Sequence, residues 1–494
     1  MSASLSFDPA LADIPEGHLV GGQLLTGGER VAVHAPSTGA IVGHVPAGDA
    51  DVVDQAVRRA AHVQATSGWA TCPPRERARV MRRWAQLVEE NLERLARLES
   101  FCSTRPIAET TSWDVPFTAE GLRFFAEYAD KLGGNVAATQ SDLLGMTIAE
   151  PYGVIGAIAP WNFPLVMASW KVAPALIAGN GVVIKPSEMT PFSIVLLAQL
   201  GEQAGLPAGL FNVVQGHGAV VGDALSRHPL CGKLTFTGST RTGIAVMKAA
   251  AESGPKPVTL ELGGKSPQVV YQDIRCVDTV AARIFRAFSG NAGQVCVTGS
   301  RLIVHEKVAG PLVEKIVALA GHVRPGPTWD ERTAYAPIIS PAQAERVEGI
   351  VSRACAAGAE QVVPMRRLLT NSGGAFLSPT VLTNVTAQNV AVREEIFGPV
   401  LTVQTFTEED EALALAAHPE YGLAAGVHTA DLGRAMRAVR QLRAGTVWVN
   451  RYGRSADFVI PTGGFGGSGI GKDLGREAVE ANLRHKSVLM AFEG

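Results

Sequence analysis

Cys296 ends the run SGNAGQVC, in which small and amide-bearing residues follow an apolar helix. Small residues let a substrate or a backbone approach closely. A free thiol in such surroundings can act as a nucleophile once ionised. A lone cysteine more commonly packs as a small core residue, and that is the reading for the other cysteines, at 72, 102, 231, 276 and 355. Glu261 ends an apolar strand in LELGGKSP. A carboxylate there is either held in a structural pair or kept as a base of raised pKa. Gly263 and Gly264 leave the adjoining backbone open, which favours a site. Asn162 stands between two prolines in APWNFP, and an amide framed so rigidly suits a donor that stabilises an oxyanion.

Two further segments have the chemistry of phosphate and ribose binding. FTGSTRTG runs from a strand into a helix, with Gly238 and Gly243 five apart. It is not G-x-G-x-x-G, but a strand, a glycine turn and a helix start offer free N–H groups to a pyrophosphate. VVIKPSE puts Lys185 and Glu188 at another strand end. They could hold a ribose by its hydroxyls, or form a surface ion pair of little worth.

These residues must be positioned by a large framework. The chain has 494 residues, 46% apolar and 18% charged, enough for two to four domains with a substantial core. The net charge of −2 removes the electrostatic footprint of a nucleic-acid binder. The cysteines form no C-x-x-C pair and no zinc-spaced cluster, so free thiols in a reducing compartment and no metal site are expected. The N-terminal stretch lacks the pattern of a secretory signal. The uncharged run 151–170 contains prolines and reads as two short buried elements around a loop, not a membrane span. A cytoplasmic protein is expected.

The spacing of Val80, Trp84, Leu87, Val88, Leu92, Leu95 and Leu98 predicts one amphipathic helix over 74–100, with a weaker one over 51–66. From Gly153 onward, short apolar runs (GVIGAI, GVVIK, FNVVQG, KLTFTGS, PVTLELGG) alternate with helical stretches. A second alternating series follows Gly263. Two α/β halves with covered parallel sheets are predicted, hinged near 260–264. Residues 133–150 read as an extended excursion with no obvious partner in either half, and 485–492 as a lone apolar strand, so a covering second subunit is expected.

APWNFP, VIKPSE, FTGST, LELGGKSP, GQVC, EEIFGPV and WVN occur in the order, and at about the spacing, found in the aldehyde dehydrogenase superfamily. The resemblance spans nearly the whole chain. It implies a Rossmann-like NAD-binding domain over 1–132 and 152–260, an α/β catalytic domain over 261–470, and a small β oligomerisation arm formed by 133–151 and 471–494. It implies that Cys296 attacks an aldehyde, that Asn162 and the Cys296 N–H form the oxyanion hole, and that Glu261 activates water to hydrolyse the thioester. Trp161 would line the nicotinamide end. Lys185 and Glu188 would bind the adenosine ribose, and Gly218 and Gly222 would border the adenine. Phe236, Gly238 and Ser239 would lie along the pyrophosphate, with Gly243 and Leu262 nearby. Glu395 and Phe397 would hold the nicotinamide ribose. Glu188 puts a negative charge where a 2′-phosphate would sit, which favours NAD over NADP.

The remaining expectations concern substrate and partners. Val295, Val297, Phe163 and Trp170 suggest an apolar substrate tunnel. Arg451 and Arg454 could read the anionic tail of an ω-carboxylated aldehyde, or be ordinary loop or subunit-contact arginines. Gly290 stands where trimethylammonium-aldehyde enzymes of the family often carry an aromatic. A homodimer or homotetramer is implied. The chain departs from the family at Thr462, where an aromatic is common, and at Arg476, where Glu is common, with Glu477 one step on. Stretch 102–114 lacks the family's acidic-Thr-Gly pattern. Two rivals stand beside this reading: a non-catalytic binding or structural relative, which the intact Cys296, Glu261 and Asn162 oppose, and a CoA-acylating enzyme, which Glu261 opposes.

Overall fold

The computed structural model describes residues 4–455 and 458–492; the outermost limits of the expected segments, residues 1 and 494, lie outside them. The apolar runs after Gly153 form the predicted strands. Phe211–Val213, Gly181–Lys185, Val154–Ile158, Cys231–Thr237 and Val258–Glu261 lie side by side, all parallel. His18–Val20 and Gln23–Leu25 extend one edge, and Gly469–Ile470 the other, each antiparallel. Both faces of this eight-stranded sheet are covered, so its central strands are apolar on both sides.

The second sheet has seven strands, in the order Glu360–Val363, Thr380–Thr383, Val400–Phe406, Arg301–His305, Pro267–Val270, Ala424–His428 and Thr446–Val449. Every pairing is parallel except the one that adds Glu360–Val363. Between Val258–Glu261 of the first sheet and Pro267–Val270 of the second, the chain crosses through 262–266, which overlaps the junction expected near 260–264.

The uncharged run resolves into the strand Val154–Ile158 and the helix Pro164–Ile177, with the PWN loop between them. That helix is buried along nearly all its length. Glu99 is fully buried and accepts from Leu165 N at 2.9 Å, so a carboxyl meets the positive end of this helix and fixes where the loop enters it. Burial pushes the Glu99 carboxyl up to about 8. Among the described residues, no helix is long and apolar enough to cross a membrane.

Two expectations are corrected. The single helix over 74–100 is two helices, Pro74–Glu90 and Leu92–Cys102. Asn91 leaves helical geometry between them (φ −108°, ψ 22°), and its Nδ2 donates to the Leu87 carbonyl at 2.9 Å, capping the first helix. The apolar spacing continues through the break, so periodicity alone hides it. The final strand is not alone either. Leu483–Ala491 pairs antiparallel with Leu143–Pro151 along its whole length, and Val136–Ala137 adds a third strand.

Candidate active site

The parallel strands of the first sheet end in register. Ile158 pairs with Lys185 and with Phe236, and Thr237 pairs with Glu261. This carboxyl edge faces the loops that lead into the second sheet, those carrying Gly263–Ser266, Gly293–Ser300 and Glu395–Pro399. A cavity of about 2180 Å³ lies between them. Ligands of open α/β sheets bind at such an edge.

Cys296 lines this cavity and is half-buried. The turn before it is held in an unusual backbone. Asn291, Ala292 and Gly293 all have positive φ (48°, 51° and 73°). A side chain at Gly293 would lie 2.1 Å from the Gly398 carbonyl, so only glycine fits there. Three amides fix the turn. Gln294 donates to the carbonyls of Asn291 and Pro337 (both 2.9 Å) and accepts from Ile339 N at 2.9 Å. Asn291 accepts from Thr104 Oγ1 at 2.7 Å and donates to the Asn162 carbonyl at 3.2 Å. Asn162 Nδ2 donates to the Gln294 carbonyl at 2.9 Å. The buried Asn162 amide is thus tied to the loop that carries the thiol, and its NH2 keeps a second hydrogen. Burial, then the Glu261 and Glu395 carboxylates, push the Cys296 thiol up to about 12, while Arg454 opposes them.

Glu261 ends its strand facing the same cavity, 8% exposed, and its Oε1 has no hydrogen-bond partner among the described residues. Gly463 packs so closely against it that a Cβ there would be 2.7 Å from Oε1. Burial and the neighbouring Asp473 hold its carboxyl well above the usual carboxylate range, against the pull of Lys171, Arg454 and Lys472. Lys171 and Asp473 form a buried ion pair at 3.1 Å, and Lys171 also reaches Thr235 Oγ1 at 3.3 Å. Thr462 and Asp473 exchange backbone hydrogen bonds of 2.7 and 2.9 Å, which fixes the aspartate.

Arg476 and Glu477, where the chain departs from the family, lie away from this arrangement. Both are exposed, and Arg476 pairs with Glu480 at 2.5 Å. The carboxylate beside Glu261 is Asp473, three positions earlier.

The residues expected to hold a dinucleotide line the same cavity: Trp161, Lys185, Glu188, Gly218, Phe236, Gly238, Ser239, Leu262, Glu395 and Phe397. Lys185 Nζ meets Glu188 Oε2 at 2.6 Å, with the lysine buried and the glutamate one-third exposed. Burial alone would raise the Glu188 carboxyl, but Lys185 and His217 hold it below its ordinary value. Ser239 caps the helix Thr240–Glu252, and Thr237 Oγ1 is buried without a partner among the described residues. Glu395 Oε1 accepts from Gly264 N at 3.0 Å, and burial raises its carboxyl to about 7. Phe397, at φ 54°, sets its ring edge-on to Trp161 at 5.3 Å. An anion cradle at a helix start, a buried Lys–Glu pair and an orphan hydroxyl fit a dinucleotide. Gly222 and Gly243 do not line the cavity. Gly222 sits buried behind Gly218, and Gly243 lets its helix close on Leu262, whose Cδ2 would be 2.4 Å from an added Cβ.

Val295, Val297, Phe163 and Trp170 also line the cavity, with Arg451 and Arg454. Trp113 and Met167 belong to this wall and were not picked out from the sequence. Met167 shares a helix face with Trp170, a signal that was available. Trp113 packs edge-on to Phe163 at 5.9 Å, and Arg105 stacks over the Phe163 ring at 4.4 Å while bound to Asp114.

Comparison with known proteins agrees with this geometry. Residues 25–488 match the model of the aldehyde dehydrogenase family. The chain is 41% identical to aminoacetaldehyde dehydrogenase of Pseudomonas aeruginosa over 94% of its own length and 92% of the relative's. It is 39% identical to the mitochondrial benzaldehyde dehydrogenase of Antirrhinum majus, over 96% and 89%. The crystal structure of a Bacillus cereus aldehyde dehydrogenase with NAD+ superposes with a TM-score of 0.95 at 35% identity, covering 99% of this chain and 100% of that one. The chain belongs to the aldehyde dehydrogenase family.

Proposed function

We propose that the protein oxidises an aldehyde to its carboxylic acid with NAD, using Cys296 as nucleophile, Asn162 as oxyanion donor and Glu261 as the base that deacylates the enzyme. The observation that carries this is the convergence of thiol, tethered amide and a buried carboxyl, its Oε1 without a hydrogen-bond partner among the described residues, on one cavity that the expected dinucleotide-binding residues also line. The thiolate attacks the aldehyde carbon, and the developing oxyanion takes the free Asn162 hydrogen and the Cys296 N–H. NAD, when bound, supplies the acceptor for the hydride lost from that carbon. Glu261 then takes a proton from water as the water attacks the thioester. Its raised pKa suits a group that must accept a proton and release it again. The Asp473 carboxylate, held by Lys171, neighbours Glu261 and can receive that proton. On this reading the eight-stranded unit binds the cofactor and the seven-stranded unit supplies the thiol.

The family relationship with a protein solved with NAD+ supports the cofactor assignment. The test is NADH formation over a panel of aliphatic, aromatic and charged aldehydes, with and without CoA. Acid release without CoA is expected, and strict CoA dependence would assign the acylating chemistry instead.

Two expectations arise here. The wild type prefers NAD, and Glu188→Gln narrows its NAD-to-NADP ratio of kcat/KM by roughly tenfold, because a carboxylate no longer faces the 2′-phosphate. A wild type faster with NADP would refute this reading of Glu188. The second expectation is an oligomer, at least a dimer. The arm strands leave Val136 75% and Leu489 73% exposed, with Ile148, Met490 and Phe492 also open. An apolar arm of this kind needs cover, and a two-fold lets each arm pack on its partner reciprocally. Size exclusion with light scattering should give twice the chain mass or more, and an active monomer at micromolar concentration would sink the idea.

A further inference from the structure

Most cations around the reaction centre have protein partners. Arg105 is bound by Asp114 and Glu109, Lys171 by Asp473, and Lys472 donates to the Gly463 carbonyl at 2.9 Å. Arg454 differs. Its loop follows the strand Thr446–Val449 and turns inward at Gly453, whose φ is 89°. The guanidinium lines the cavity beside Cys296 and lies over the Trp170 ring at 5.3 Å. It has no carboxylate at ion-pair distance among the described residues. Trp170 offers no acceptor, being aromatic, and its own Nε1–H is 5% exposed as a residue and buried without a partner among the described residues. The wall here therefore holds two donors and no committed acceptor.

Glu261 and Asp473 favour this charge from a distance, but neither reaches ion-pair distance of the guanidinium, and Asp473 is engaged by Lys171. Burial pulls the Arg454 guanidinium below its ordinary value, which is the mark of a cation short of compensation. A partly desolvated guanidinium is strongly favoured by a carboxylate in its fork and costly without one. Apolar side chains line the same cavity: Trp113, Phe163, Met167, Val295 and Val297.

We infer that Arg454 is a specificity-determining residue that selects aldehydes carrying a carboxylate, the carboxylate taking the guanidinium. This rests on the reading of Cys296 as the nucleophile. The same charge repels aldehydes that end in an ammonium or trimethylammonium group.

The test uses matched pairs of equal length: 6-oxohexanoate against hexanal, and 4-formylbenzoate against benzaldehyde, each followed by NADH formation. The wild type should favour the carboxylated member of at least one pair by roughly tenfold or more in kcat/KM. Arg454→Met should lower that carboxylate-to-neutral ratio by roughly 10- to 100-fold, chiefly through KM, and Arg454→Lys should restore part of it. The wild-type ratios decide the matter even if a variant misfolds. A wild type that prefers the neutral member of both pairs overturns the proposal. So does an equal loss with both members in Arg454→Met, which would make the guanidinium a helper of Cys296 or Glu261. Failure with every aldehyde, charged or neutral, would instead overturn the parent reading, and this inference with it.

Discussion

Replacing Cys296 with serine lowers NAD-dependent aldehyde oxidation by on the order of 10³-fold or more while leaving cofactor affinity unchanged. The thiol is small and half-buried, and serine fits the same turn, which is fixed by Asn291, Gln294 and Gly293 rather than by the sulfur. What changes is acidity. Even with its pKa pushed up to about 12, the thiol ionises far more readily than an alcohol in the same place. Because burial and two carboxylates raise that pKa, the thiolate is the minor form at neutral pH. Its fraction, and with it the wild-type rate of the first chemical step, should climb as pH rises from 7 toward 10. Fluorescence titration with NAD checks cofactor binding, and steady-state rates check the loss. Near-normal turnover in Cys296→Ser would place the nucleophile elsewhere.

Glu261→Gln should separate the two halves of the reaction. The amide keeps the shape and burial of the side chain but cannot accept a proton from water. Hydride transfer needs only the thiol and the oxyanion donors, so one equivalent of NADH per active site should form in the first turnover. Steady turnover should then fall by on the order of 10²- to 10⁴-fold, the usual worth of a positioned general base. Stopped-flow absorbance reads both phases. Loss of the burst itself would show that Glu261 acts earlier, on the thiol. The geometry leaves that route open to test, since the two groups sense each other's charge.

Much of this arrangement was legible in the sequence. The parallel strands announce themselves as short apolar runs because both faces are buried, and the residues at their carboxyl ends, Lys185, Thr237 and Glu261, follow directly from the strand assignments. Cys296, Asn162 and Glu261 stood out because small or rigid neighbours surround them, and those neighbours prove to be the residues that fix the turn and the loop. Other features depend on distances that one-dimensional reading does not contain. Asn91 breaks a helix whose apolar spacing carries straight on. Leu483–Ala491 finds its partner in Leu143–Pro151, far back in the chain, and the pair is legible only once both edges are seen together. Asp473 sits in a glycine-rich segment three residues before the charges at 476 and 477, and the backbone exchange with Thr462 turns the aspartate inward while those charges stay outside. Gly243 reads as a phosphate-loop glycine and instead serves helix packing on Leu262. That Arg454 has no carboxylate at ion-pair distance among the described residues is a statement about its neighbours in space, and no motif encodes it.

The most direct measurement of the central claim is peptide mass mapping of Glu261→Gln after acid quench, with NAD and an aldehyde that the wild type oxidises. An acyl group of the substrate's mass on the peptide containing Cys296, formed only when NAD is present, is the predicted result. An adduct on a different residue, or steady acid production with no acyl adduct at Cys296, would contradict it.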